Sequence, residues 1–267
     1  MLKQRIITAV VLVVVLLIAL LVDAPIFWRL LISGVLLVGF WEWLRFCQIT
    51  DYIQKIICFA LFIVMFGVLQ ASFVPLIFIT FISCLLWVVL LVFTMTTKLE
   101  LLHNKGIKLS IGLWVLSAAG TMMIQLKLLE NGIYWILCFM VTIWAADIGA
   151  YFSGRRFGKT KLAPTVSPGK TVEGLVGGIL LVLCLFVPIF FTNFVFKDAV
   201  LLVFTVGITA LISVGGDLFE SKLKRHVNLK DSSQVLPGHG GVMDRIDSLL
   251  AGAPFFMFGL LVLGYLN

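Results

Sequence analysis

The chain has 267 residues, of which 61% are apolar and only 12% charged, with a mean hydropathy of +1.16. Water-soluble domains carry about 45 to 50% apolar and about 25% charged residues, so a soluble globule is excluded and a single bilayer-embedded unit is expected. A formal net charge of +7 would suit nucleic acid or anionic lipid, and its distribution along the chain has to decide.

A hydrocarbon core of about 30 Å takes about 17 to 25 mainly apolar residues in a helix. On that ruler nine spans follow in chain order: roughly 6–22, 26–41, 56–70, 75–95, 110–126, 133–153, 174–196, 199–219 and 249–266. The first, behind Lys3 and Arg5, exceeds a signal peptide's apolar region of about 7 to 15 residues and has no Ala-x-Ala cleavage chemistry after it, so it is expected to be retained. The stretch from Ile56 to Met95 is too long for one crossing, and Pro75 after Gln70-Ala71-Ser72 supplies the break. Cys47, Cys58, Cys84, Cys138 and Cys184 lie in or beside apolar runs, with no CxxC pair and no His placed to complete a zinc set. Neither a disulfide framework nor a redox role follows.

With the N-terminus inside, seventeen of the twenty Lys and Arg fall on one side, and only Arg29, Lys127 and Lys197 on the other. That asymmetry predicts an all-α, polytopic membrane protein of about nine transmembrane helices with a cytoplasmic N-terminus. The basic residues are spread over five cytoplasmic pieces and form no groove-sized stripe, so no nucleic-acid partner is expected. Residues 1–130 read as scaffold helices with short loops, and residues 131–267 as helices carrying the catalytic loops.

Polar residues collect in two stretches. In the first, Asp147 interrupts an otherwise apolar span, where an ionisable group is costly and calls for a functional partner. Arg155, Arg156, Lys159, Lys161, Ser167, Lys170, Thr171 and Glu173 follow. The triplet Gly169-Lys170-Thr171 invites a phosphate-loop reading, but Pro164 stands where that loop needs Gly. What remains is a Gly-, Ser- and Lys-rich loop opening a helix, suited to phosphate oxygens. The plainer reading of its basic residues is orientation and contact with anionic lipid heads.

The second stretch runs from Gly215 to Ser248. If Asp217 opens the cytoplasmic continuation of a helix, then Asp217, Glu220, Ser221 and Lys224 stand on one face at i, i+3, i+4 and i+7. Asp244 and Asp247 are likewise three apart, and the bend Pro237-Gly238-His239-Gly240-Gly241 can swing them back toward Asp217. Hard oxygen ligands suit Mg2+, which takes one or two carboxylates plus substrate phosphates, while flanking Lys and Arg clamp phosphoryl oxygens. The plainer reading is a solvated, salt-bridged helix end, with His239 a turn residue.

The run Ser221-x-Leu223-Lys224-Arg225-x4-Lys230-Asp231-x-Ser233-x2-Leu236-Pro237-x-His239-Gly240-Gly241-Val242-x-Asp244-Arg245-Ile246-Asp247 resembles the signature of the CDP-diacylglycerol synthases, also called phosphatidate cytidylyltransferases. Asp147 to Gly154 and Ser167-Pro168-Gly169-Lys170-Thr171-x-Glu173-Gly174 are similar to that family as well. The resemblance covers most of the C-terminal half; the N-terminal half agrees only in being hydrophobic spans and is expected to hold no chemistry. It implies a bacterial inner-membrane enzyme, a homodimer, that joins CTP to phosphatidic acid at a cytoplasm-facing site. It also implies Mg2+, with K+ beside it, held by Asp217 and Asp244, with Asp231 and Asp247 near. Lys224, Arg225, Lys230 and Arg245 would neutralise phosphates, and His239 joins the catalytic candidates. Asp147, Ser167, Lys170, Thr171, Glu173, Glu220 and Ser221 become the substrate-binding candidates.

Two rival classes are set aside on sequence. A transporter for a phosphate-bearing solute would place its site near the midplane between repeated halves, whereas here the halves differ and the charge sits at one face. A phosphotransferase acting on CDP-activated lipid would carry its own Asp-Gly, Ala-Arg and Asp series, which is absent.

Overall fold

The structure is a computed structural model that describes residues 2–22, 24–71, 73–96 and 100–265. Ser72 and Lys98 lie outside the described residues, as do the side chains of Lys3 and Arg5. The expected helices are present. They are α1 (Leu2–Leu21), α2 (Pro25–Phe46), α3 (Tyr52–Gln70), α4 (Leu76–Met95), α5 (Lys105–Leu128), α6 (Gly132–Phe157), α7 (Val172–Asn193), α8 (Phe196–His226) and α9 (Met243–Val262). Among the described residues eight of them, α2 to α9, are long and apolar enough to cross a membrane, and α1 adds the shorter apolar run Ile7–Leu21. The chain is therefore an all-α, multi-pass membrane protein.

Local chemistry accounts for the boundaries. Pro75 occupies the position before α4, where its fixed φ and missing N–H break the long apolar stretch as expected. Side chains at Asp51, Asn104 and Thr171 accept backbone N–H groups at the starts of α3, α5 and α7. The loop expected before α7 is instead a small antiparallel hairpin, β1 (Lys161–Ala163) with β2 (Ser167–Thr171), turned through Pro164 and Thr165. Three- and five-residue strands fall below what alternation in sequence can resolve.

Apolar residues point both ways, as they must in a bilayer. Trp28, Phe40, Trp43, Phe139, Phe219 and Phe256 are fully buried between helices, while a long series of Val, Ile and Phe on α1, α3 and α4 faces outward. With lipid as apolar as Leu, close helix approach depends on small residues. A Cβ at Gly178 would lie 2.5 Å from the Ala146 carbonyl oxygen, so α7 touches α6 there backbone to backbone. Gly216 does the same for α8 against α9, 2.5 Å from the Asp247 carbonyl oxygen.

Lysines close the helix ends inside this apolar frame. Lys127 donates to the carbonyls of Ala19 and Leu20 at the end of α1, both at 2.7 Å, and buried Lys108 donates to Phe46 at the end of α2, 2.7 Å away. Lys222 donates to Phe93 and Thr94 at 3.0 and 2.9 Å, and to Thr96, at the end of α4. Each puts an ammonium on carbonyls that have no partner within their own helix, at the negative end of the helix dipole.

Candidate active site

Alternating helix direction brings the C-terminal ends of α2, α6 and α8 and the N-terminal ends of α7 and α9 to one end of the bundle. There, a polar cavity of about 460 Å³ is lined by Asp147, Asp217, Lys224, Asp231, His239, Asp244, Arg245 and Asp247. A smaller one, about 210 Å³, lies under the hairpin against Lys170, Thr171, Tyr151 and Val214, with Asp147 on the wall common to both.

The expected helical face is observed on α8, which runs unbroken to His226. Ser221 Oγ donates to Asp217 Oδ1 at 3.2 Å, and Lys224 Nζ meets Glu220 Oε2 at 3.0 Å. The two carboxylates expected to hold metal have different surroundings. Asp217 is about one-third exposed toward the cavity, and its Oδ2 receives Lys170 Nζ at 2.6 Å. Asp244 is enclosed: Oδ1 takes Lys224 Nζ at 2.6 Å, and Oδ2 accepts Ser232 N at 3.0 Å, Ser232 Oγ at 2.9 Å and Gly241 N at 2.8 Å. Asp244 thus organises the turn preceding α9, and Lys224 is a buried bridge between two carboxylates.

Other candidates scatter. Arg245 Nε and Nη2 both donate to the His239 carbonyl, at 3.1 and 2.8 Å, which holds the guanidinium at the cavity rim. Glu173 accepts from the backbone N–H groups of Lys159 and Thr160, both at 3.1 Å, and so ties the hairpin to α7. Thr171 caps α7, and Ser167, Arg225 and Lys230 line neither cavity. Glu220 is buried and lines neither cavity, and among the described residues its Oε1 has no hydrogen-bond partner.

The residue that sequence reasoning missed is Glu42 on α2, fully buried. Its carboxylate accepts Ser232 Oγ at 3.0 Å, Ser233 Oγ, Val242 N at 3.0 Å and Met243 N at 2.6 Å. It fills the role of an N-cap for α9, where Val242 itself offers no side-chain acceptor. Neighbouring Arg45 donates to the Ser232 carbonyl. The N-terminal half thus contributes a support to the site that sequence reasoning did not suggest: α2 fixes the loop that carries Asp231 and the start of the helix that carries Asp244 and Asp247. The signal was present, a lone carboxylate in the apolar run Gly39-Phe-Trp-Glu42-Trp-Leu, by the same reasoning that singled out Asp147.

A sequence model described as the cytidylyltransferase family matches residues 3–263. A phosphatidate cytidylyltransferase of Haemophilus influenzae is 35% identical, over 97% of this chain and 98% of its own. One of Pseudomonas aeruginosa is 38% identical over 96% of each chain, and one of Bacillus subtilis is 46% identical over 48% of each.

Proposed function

This chain belongs to the cytidylyltransferase family and is a nucleotidyltransferase, and from that premise we propose that it transfers CMP from CTP to phosphatidate, giving CDP-diacylglycerol and pyrophosphate. The observation that carries the reading is the polar cavity at one end of the bundle, in a chain similar over its whole length to two phosphatidate cytidylyltransferases. A phosphate monoester at neutral pH is already largely a dianion, so a phosphatidate oxygen can attack the α-phosphorus of CTP without a general base. The new P–O bond forms as the bond from the α-phosphorus to the bridging oxygen breaks, and pyrophosphate carries away the charge.

Charge in the cavity supports a divalent cation. Five carboxylates line it against Lys224 and Arg245, and Lys224 already serves Glu220 and Asp244. A cavity that must receive two polyanions while net negative itself lacks positive charge, and its oxygen donors suit Mg2+. Among the described residues no three acidic, His or Cys groups converge to chelate an ion alone, which fits an ion completed by substrate phosphates. Asp217 is the best-placed holder; Asp244 would contribute only as Lys224 yields. Bound there, Mg2+ would neutralise developing charge on the phosphoryl oxygens. Lys170, on Asp217, and Arg245, at the rim, orient and screen phosphates. For K+, a homodimer and an inner-membrane, cytoplasm-facing site, the support is the sequence resemblance and the distribution of basic residues.

The test is transfer of label from α-phosphate-labelled CTP into chloroform-soluble lipid by purified protein in detergent. Label should require phosphatidate, vanish on chelation and return with Mg2+. Folded protein giving no labelled lipid with any divalent ion would overturn the function; label persisting under chelation would overturn the metal alone.

A further inference from the structure

Beside the polar cavity lies a second space of opposite character. It is an apolar cleft of about 340 Å³ between α1 and the body of the bundle, walled by Leu12 and Leu16 of α1, Trp28 and Val35 of α2, Met123 of α5 and Met140 of α6. Trp144, Arg245 and Leu249 belong to the walls of both spaces. The cleft offers almost no polar surface, which excludes nucleotide, and its α1 wall lies within the apolar run Ile7–Leu21. At its junction with the cavity stands a guanidinium fixed by its two bonds to the His239 carbonyl. An elongated apolar space that ends at a fixed cation beside a polar chamber matches an amphiphile whose head is anionic and whose tail is a hydrocarbon chain.

The attachment of α1 fits that use. Near its start Thr8 Oγ1 donates to the Pro237 carbonyl at 3.0 Å, in the loop that carries His239. Near its end Lys127 holds the carbonyls of Ala19 and Leu20. Between these two points, about 16 Å apart in helix rise, α1 supplies Leu12, Val13, Val15 and Leu16 to the cleft wall. We propose that this cleft seats an acyl chain of the phosphate-bearing lipid substrate, with Arg245 at the junction on its phosphate, and that α1 forms the wall which measures the chain. The assignment rests on the reading of phosphatidate as substrate. Because bilayer lipid is as apolar as the cleft, burial alone gives no preference; shape and the Arg245 contact must supply it.

The experiment uses the full chain in nanodiscs, without CTP, with phosphatidate or phosphatidylcholine carrying the same photoactivatable acyl chain. Adducts are mapped by mass spectrometry, a readout that stands even if no cytidylyl transfer is found. Phosphatidate adducts should concentrate on Leu12, Leu16, Val35 and Met123, and phosphatidylcholine should label these positions about tenfold less. Equal labelling by both lipids, or adducts confined to the outer faces of α3 and α4, would overturn the proposal. Steady-state kinetics supply the second arm. Leu16→Trp, or Val35→Trp from the opposite wall, should raise the KM for dioleoyl phosphatidate about tenfold by overfilling the cleft. The same variants should leave the KM for CTP and for dihexanoyl phosphatidate within about twofold, as should Val11→Trp on the outer face of α1 for every substrate. Equal losses on long- and short-chain lipid would also overturn it.

Discussion

Lys222 and Lys224 stand two residues apart on α8, about 200° around the helix, and do unlike things. Lys222 faces α4 and satisfies backbone carbonyls; Lys224 faces the cavity and lies between Glu220 and Asp244. One closes a helix end and the other sets the charge of a site. The lesson is that position in a basic helix end does not separate structure from chemistry in this protein, whereas the kind of partner does.

Four substitutions break or sharpen that contrast. Asp217→Asn, on the cavity face, should lower cytidylyl transfer by about 10²- to 10³-fold while costing at most about 1 kcal/mol of stability, since the ion pair lost with Lys170 is partly exposed and Lys170 keeps the Val214 carbonyl. A large fall in the thermal midpoint in detergent would show Asp217 to be a structural residue. Lys224→Met should abolish activity and also destabilise by about 3 to 5 kcal/mol, because Glu220 and Asp244 are left facing one another without a cation. Retained stability, read by denaturant unfolding followed by circular dichroism, would mean the pair is not coupled as the geometry states.

Glu42→Gln keeps the shape of the buried side chain but replaces an acceptor oxygen by a donor, against four donors that already point at it. It should cost about 1 to 3 kcal/mol and reduce kcat/KM for both substrates together, with Glu42→Asp recovering part of each. Smallest is Lys222→Met, which should cost about 1 kcal/mol and leave kcat/KM within about twofold. A loss of activity exceeding its loss of stability would erase the distinction between the two faces of α8.

Much of this was legible in the sequence, and the reason is locality. Apolar length located the helices, and the i, i+4 spacing on α8 put Asp217 against Ser221 and Glu220 against Lys224, since both act within a few turns of one helix. The bend at 237–241 brings Asp244 and Asp247 back to the cavity that Asp217 lines, as its Gly and Pro content suggested, but the side chain that Asp244 meets there is Lys224 and not Asp217. What escaped is long-range. Glu42 finds its partners about 190 to 200 residues away, and Lys222 its carbonyls more than 120 away. No local pattern says whether a charge between apolar runs will meet water, a carbonyl or another charge. The enclosure of Asp244 was hidden for the same reason, because three of its donors belong to loop backbone and a serine whose position depends on α2.

The knot at Glu42 also sets an order of events during synthesis. Its carboxylate is made with α2, while Ser232, Ser233, Val242 and Met243 have yet to be made. At about 5 to 20 residues per second that interval is about 10 to 40 s, far longer than a helix needs to form. Until those residues emerge, Glu42 is without the four donors that meet it in the finished fold. A chain that stops before that point leaves α2 with an acceptor whose donors never arrive, and the loop that carries Asp231 is fastened to α2 only once the start of α9 has been made.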